Sequence, residues 1–151
     1  MTIYSGGGGG HGGHGGNGWG CDGGGTYGSM TEPITPGSGG GRGQPGGGAI
    51  KLDVSGILTV DGSLTANGFG NFYGGGAGGS IYITADSLAG SGLIAANGGN
   101  GYDNGSHTGG AGGGGRIAIY YTTDTFTGTV SAYGGTVYQN GDAGTIYLEQ
   151  V

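Results

Sequence analysis

The sequence predicts an all-β protein: a right-handed parallel β-solenoid of about four irregular coils, with a packed layer of polyglycine II-like segments and essentially no helix. Two short phrases that recur in step support this fold class. Gly-x-Ile-x-(Ile/Leu) occurs four times at spacings of 31, 36 and 29 residues, beginning at Gly48, Gly79, Gly115 and Gly144. Gly-x-aliphatic-x-Ala-x-Gly occurs three times, beginning at Gly62, Gly92 and Gly128. Self-similarity at such spacings is typical of solenoids, and parallel crossovers are generally right-handed.

Each repeat of the two phrases, which we call a unit, is predicted to begin with a long strand. Ile50, Leu52 and Val54 alternate with Lys51 and Asp53, which is the period-two pattern of a half-buried strand. The same alternation recurs in the next two units, at residues 81–85 and 117–121. After a turn, the second phrase predicts a shorter strand around one aliphatic residue in each unit, namely Leu64, Ile94 and Val130. No segment has an apolar period of 3.6 residues over helical length.

Between the strands the chain is rich in glycine, with 49 glycines in 151 residues. Residues 6–20 are nearly pure glycine, and His11, His14 and Asn17 follow one another at intervals of three. A polyproline II-type helix has three residues per turn and no internal hydrogen bonds. Such segments can satisfy their amides only by bonding to one another. We therefore predict a single domain over 1–151, with polyglycine and degenerate coils in 1–48 and regular strand repeats in 49–151.

Charge and composition exclude several functions. Three basic against nine acidic residues give a net charge of −6, which argues against nucleic acid. No apolar run is long enough to span a bilayer, so no membrane insertion is expected. The carboxylates near the strands occur singly beside turns and form no catalytic pair, and we predict that the protein is not an enzyme. The lone Cys21 indicates a buried thiol or, alternatively, an intermolecular disulfide.

No cofactor or metal is predicted. His11, His14, Cys21 and Asp22 include zinc-ligand types, but their spacing fits no familiar zinc module. Residues 98–103 match the start of a calcium-binding nonapeptide, but the tandem copies that this motif requires are absent.

The two ends of the sequence predict self-association. The first residues resemble the second phrase, which predicts the short strand that ends a unit. The last unit, from Gly144, supplies only the first phrase, which predicts the long strand that begins a unit. Unpaired strand edges of this kind can pair between copies. The predicted contacts of a head-to-tail homopolymer are Ile3, Tyr4, Ile146, Tyr147 and Leu148.

Aromatic residues in the glycine-rich segments that lead from one unit to the next, which we call excursions, form a second set of candidate binding residues. Tyrosines on loops can stack on sugars or pack at protein interfaces. The predicted binding residues are Tyr73, Tyr102, Tyr133 and Tyr138. The alternative is that they pack over the glycine face of the next coil.

Leu-Thr-Ala-Asn-Gly at 64–68, Gly-Gly-Ser-Ile-Tyr-Ile at 78–83 and Gly-Gly-Gly-Arg-Ile-Ala-Ile at 113–119 resemble the glycine-rich β-solenoid repeat regions of large secreted bacterial surface proteins. The glycine tracts are also similar to the polyglycine layers of phage tail-tip adhesins. The resemblance transfers no catalytic residue. We predict an extracellular or cell-surface protein that forms the structural subunit of a fibre, filament or sheath. The alternative is a surface or phage-type adhesin that binds glycan or protein through tyrosine-rich loops.

Overall fold

The computed structural model describes residues 5–151, so Ile3 and Tyr4 lie outside the described residues. Within this range all regular structure is β-strand and no residue is helical. The strands are β1 (Ala49–Thr59), β2 (Ser63–Thr65), β3 (Ser80–Ala89), β4 (Leu93–Ala95), β5 (Tyr102–Asp103), β6 (Thr108–Gly109), β7 (Arg116–Asp124), β8 (Thr129–Ser131) and β9 (Thr145–Gln150). The prediction of an all-β fold with essentially no helix is confirmed for the residues that the structure describes.

The long strands form a four-stranded parallel sheet in the order β1-β3-β7-β9. Its register aligns the first phrase of every unit, because one row of the sheet consists of Ile50, Ile81, Ile117 and Ile146. The short strands β2, β4 and β8 form a second parallel sheet, with Leu64, Ile94 and Val130 in one row. The two sequence phrases therefore correspond to two separate parallel sheets.

The hydrophobic core lies between these two sheets. Since successive side chains of a strand point to opposite faces, one face of the long sheet supplies a continuous set of aliphatic side chains. The fully enclosed members are Ile81, Ile83, Ile117 and Ile119 from the long sheet and Ile94 from the short one. Leu88 and the alanines of the second phrase, Ala66, Ala96 and Ala132, complete the same cluster.

The glycine-rich excursions lie side by side and are hydrogen-bonded to one another. The amide of Gly112 donates to the carbonyl of Gly99, and the amide of Gly99 donates to the carbonyl of Gly76, each at 2.8 Å. The amide of Gly75 donates to Gly110 at 2.9 Å. These bonds join segments that are far apart in sequence, so the excursions satisfy their backbone groups by tertiary contacts. We call these packed excursions the glycine region.

Residues 26–36 cross the outer face of the long sheet as a strap. Tyr120 donates its hydroxyl to the carbonyl of Thr31 at 2.9 Å, and Ser80 donates to Thr35 at 2.6 Å. Before β1 the described residues contain no named strand, only isolated bridges. The strap thus covers polar side chains of the sheet that the repeat pattern leaves outside the core.

Candidate functional site

The outer strands of the long sheet, β1 and β9, each lack a neighbour on one side within residues 5–151. The first residue of each successive strand donates its amide to the carbonyl of the glycine that precedes the neighbouring strand. These bonds run from Ser80 to Gly48, from Arg116 to Gly79 and from Thr145 to Gly115, at 2.9–3.0 Å. Residues of a parallel strand alternate in the side to which their backbone groups point. The N–H and C=O groups of Ile146 and Leu148 on β9 therefore face its open edge. On β1, those of Ala49, Lys51 and Asp53 do so.

The β9 edge also presents apolar side chains. Ile146 is 43% exposed and Leu148 49% exposed, whereas their counterparts in the adjacent strand, Ile117 and Ile119, are 0% exposed. The difference arises because the short sheet ends at β8, so no short strand lies opposite β9 among the described residues. The predicted interface residues Ile146 and Leu148 thus form an uncovered apolar row.

Tyr147 lies on the opposite face of β9. Its hydroxyl donates to Oε2 of Glu149 at 2.6 Å, and this bond, with some burial, raises the pKa of the Tyr147 phenol. Its ring centroid is 5.8 Å from that of Tyr120, which lies 5.8 Å from Tyr82. The Lys51 ammonium lies 5.1 Å from the Tyr82 ring. A ladder of aromatic rings thus runs across the outer face toward β9.

The turns of the glycine excursions gather in one place, which we call the loop end (residues 17–22, 41–44, 69–74, 100–108 and 135–141). The amide of Trp19 donates to the carbonyl of Thr108 at 2.9 Å. Asn100 accepts bonds from two backbone amides there, at its carbonyl from Asn71 and at its side chain from Thr136, each at 2.9 Å. Backbone bonds therefore fix the loops of several units against one another.

The loop end holds two clefts. The first, of about 320 Å³, is lined by Asn71, Phe72, Tyr73, Tyr102 and Asn104. Strands β5 and β6 form an antiparallel hairpin beside it. Its turn is held by bonds to the Asp103 and Asn104 side chains at 2.7–3.1 Å. The sequence did not predict this hairpin, but two of the predicted tyrosines meet in the cleft next to it.

The second cleft, of about 470 Å³, lies beside residues 105–108 of the β5–β6 hairpin, whereas the first lies beside residues 102–104. Its lining consists of Asn17, Gly18, Trp19, Gly20, Gly105, Ser106, Thr108, Tyr138 and Gln139. Trp19 is 61% exposed and Tyr138 75% exposed. The predicted Tyr138 lies here, whereas Tyr133, 65% exposed, lines neither cleft.

Sequence reasoning did not select Trp19, Phe72 or the amide residues Asn17 and Gln139 as binding candidates. The signal that could have found Trp19 is the Asn-Gly-Trp-Gly end of the first glycine tract, where a large aromatic residue interrupts glycines.

A buried polar cluster joins the glycine region to the strap. His11 is 0% exposed; its Nδ1 lies 2.9 Å from the carbonyl of Gly78 and its Nε2 3.1 Å from Oγ1 of Thr35. Arg116 donates from Nε to the carbonyl of Tyr27 at 2.8 Å. Burial, opposed by the bond to Gly78 and aided by the Arg116 charge, lowers the pKa of His11. The cluster holds the strap in place.

The candidate metal ligands do not converge. His11 is enclosed, while Cys21 is exposed, so the prediction of a buried thiol is wrong. The expectation failed because Cys21 occupies a turn of the loop end rather than a packed segment. Across residues 5–151 no three His, Cys, Asp or Glu side chains are grouped as metal ligands would be. The same residues include no helix long and apolar enough to cross a membrane.

The chain matches no known family model, and neither curated proteins nor solved structures show significant similarity to it.

Proposed function

We propose that this protein is the structural subunit of an extracellular fibre, filament or sheath, in which copies join head to tail through the edges of the long sheet. The observation that carries the proposal is the match between the two open edges. Strand β9 presents the groups that a following strand uses, and β1 presents those that a preceding strand uses.

The proposed contact continues the internal register. The amide of Ala49 in the next copy donates to the carbonyl of Gly144, as Ser80, Arg116 and Thr145 do to their preceding glycines. Ile146 then stands beside Ile50, and Leu148 beside Leu52. Completing the burial of two half-exposed aliphatic side chains contributes about 1 kcal/mol each. Pairing is confined to residues 49–54 of β1, because the register shifts between Val54 and Ile57.

The strand path supports a parallel β-solenoid as the repeating unit. In each unit the chain passes through a long strand, a short strand and a glycine excursion before it enters the next long strand. We propose a right-handed coil from the general preference of parallel crossovers. The bonds between excursions support a polyglycine II-like layer beside the strands. Close backbone packing with few charged residues suits a durable extracellular fibre.

The test compares the unmodified chain with Lys51→Pro and Lys51→Ala. Proline at 51 removes an N–H that faces the open edge, and strand edges tolerate proline there; alanine keeps the N–H. We expect filaments of the unmodified chain and Lys51→Ala in negative-stain electron microscopy, and dispersed particles of Lys51→Pro. Four strands at about 4.8 Å give an axial rise of roughly 19 Å per copy. Monomers of the unmodified chain at high concentration, or filaments of Lys51→Pro, contradict strand-edge assembly.

We propose a second function, adhesion through the loop end, because aromatic side chains of several units cluster there around two clefts. Exposed apolar patches that are rimmed by polar groups mark interaction sites. The partner would be a surface glycan or a protein. The non-assembling Lys51→Pro variant, applied to glycan and protein arrays, should bind through this surface. Loss of that binding on alanine replacement of Trp19, Phe72, Tyr102 and Tyr138 together supports adhesion, and retention refutes it.

A further inference from the structure

We infer that the cleft between Trp19 and Tyr138 binds a neutral saccharide, with a sugar ring stacked on the aromatic side chains and its hydroxyls bonded to the polar lining. This inference rests on the second proposed function, adhesion through the loop end, and assigns its site and class of ligand.

The aromatic groups of this cleft are exposed and yet held in position. The backbone of Trp19 donates to Thr108 at 2.9 Å and accepts from Oγ of Ser5 at 2.9 Å. The indole packs against the ring of His107, with centroids 5.7 Å apart. An aromatic side chain that is already immobilised loses little conformational entropy when a ligand stacks on it. Trp19 therefore has the properties of a preformed stacking platform.

The loop that carries Tyr138 on the other side of the cleft is held by hydrogen bonds. The amide of Val137 donates to Oδ1 of Asn140 at 2.9 Å, and Thr136 is bonded to Asn100. Tyr138 thus projects from a loop whose backbone is held on both sides, although its ring is mostly exposed. Tyrosine offers an apolar ring face and a hydroxyl in one side chain, which suits the two faces of a sugar.

The polar lining indicates an uncharged ligand. It supplies amides from Asn17 and Gln139 and hydroxyls from Ser106 and Thr108, and it includes no Lys, Arg, Asp or Glu. Oδ1 of Asn17 accepts from the amide of Gly23 at 2.8 Å, which orients the side chain. The overall net charge of −6 also disfavours an acidic sugar.

The cleft has a volume of about 470 Å³ and is shallow and open to solvent. A ligand would therefore contact it through one face, as a sugar ring does when it stacks on an aromatic side chain. Its lining combines the aromatic side chains of Trp19 and Tyr138 with amide and hydroxyl groups. A sugar, with apolar ring faces and a hydroxyl rim, matches this combination.

The chain itself provides the reporter for the test. Trp19 is the only tryptophan, so its fluorescence reports directly on the cleft. We would titrate the unmodified protein with methyl β-D-glucoside, methyl β-D-galactoside and N,N′-diacetylchitobiose, with N-acetylneuraminic acid as the acidic comparison. We expect a saturable change in emission with at least one neutral probe, and a binding constant that isothermal titration calorimetry reproduces.

Matched variants locate the site. Removing a stacking ring should weaken binding about tenfold in Tyr138→Ala, equivalent to 1.4 kcal/mol, and Gln139→Ala should weaken it about threefold. Tyr133→Ala removes another exposed loop tyrosine, outside the cleft, and should leave the affinity within about twofold. Far-UV circular dichroism of each variant confirms that the strands remain.

Two results would overturn the inference, and they separate it from the adhesion proposal. If no neutral probe gives a saturable change in emission or heat, the cleft is not a saccharide site, while array binding to proteins could still support adhesion. If sugar binding is lost in Tyr102→Ala and kept in Tyr138→Ala, the ligand occupies the Phe72–Tyr102 cleft. The loop end would then remain a binding surface, with the site elsewhere on it.

Discussion

Replacing Gly112 by alanine tests whether close backbone packing in the glycine region stabilises the fold. Gly112 is buried, and an added Cβ would overlap the carbonyl oxygen of Gly76. That oxygen accepts the bond from Gly99, whose own carbonyl accepts from Gly112. Backbone atoms cannot move aside as a flexible side chain can, so the substitution must displace a whole segment.

The cost follows from the contacts that the displacement breaks or strains. Overpacking in a dense interior costs about 1–3 kcal/mol, and each weakened hydrogen bond costs about 0.5–1.5 kcal/mol. With two bonds affected, we expect Gly112→Ala to lower the free energy of unfolding by about 2–6 kcal/mol. At roughly 2–4 °C per kcal/mol for a chain of this length, the melting temperature should fall by about 4–24 °C.

Gly25→Ala is the matched control, because Gly25 also lies in a glycine tract but nothing lies within 4 Å of an added Cβ. Alanine there reduces the entropy of the unfolded chain and should stabilise by about 0.4–1 kcal/mol. Thermal unfolding followed by circular dichroism, in the non-assembling Lys51→Pro background, measures both changes. Equal melting temperatures for the two variants would refute the argument that crowding selects glycine at Gly112.

Two further predictions concern charge. Burial lowers the pKa of His11, so the unfolded chain binds a proton more readily; stability should be greatest above about pH 6.5 and fall as the pH drops below it. The difference in melting temperature between about pH 7.5 and about pH 5.5 should therefore be smaller in His11→Gln than in the unmodified chain, whereas replacing the exposed His14 by Gln should leave it unchanged. Equal effects of the two substitutions would contradict the assignment of this pH dependence to His11. In the proposed assembly Glu149 lies opposite Asp53 of the next copy, and like charges in opposite positions destabilise by about 0.2–1 kcal/mol. Asp53→Asn should therefore lower the critical concentration for filaments by about 1.4- to 5-fold in sedimentation assays, and a rise would refute the proposed register.

The long sheet was predictable because its signal is local. Gly-x-Ile-x-(Ile/Leu) specifies both the strand and the face that it buries, and equivalent positions pair in the structure, as Ile81 does with Ile117. Where the period-two pattern determined the neighbours of a strand residue, sequence reasoning identified them.

The strap and the clefts were not predictable because their neighbours come from distant, non-repeating segments. His11 looked like one of three equivalent residues on an edge of a glycine helix, yet it is enclosed between Gly78 and Thr35. Trp19 meets His107 across 88 positions of sequence. No local pattern encodes such contacts, because they depend on how the excursions pack against each other.

The variable spacing of the repeats bears on how the two proposed surfaces could coexist. The longest unit, 36 residues from Gly79 to Gly115, contains the β5–β6 hairpin within its excursion. The long strands of this unit and its neighbours nevertheless keep one register at their starts, from Ala49 to Thr145. The additional length thus lies at the loop end, where it separates the two clefts, and not in the sheet. Because insertions there leave the strand edges unchanged, the residues that contact a ligand can vary without altering the edges proposed to join the copies.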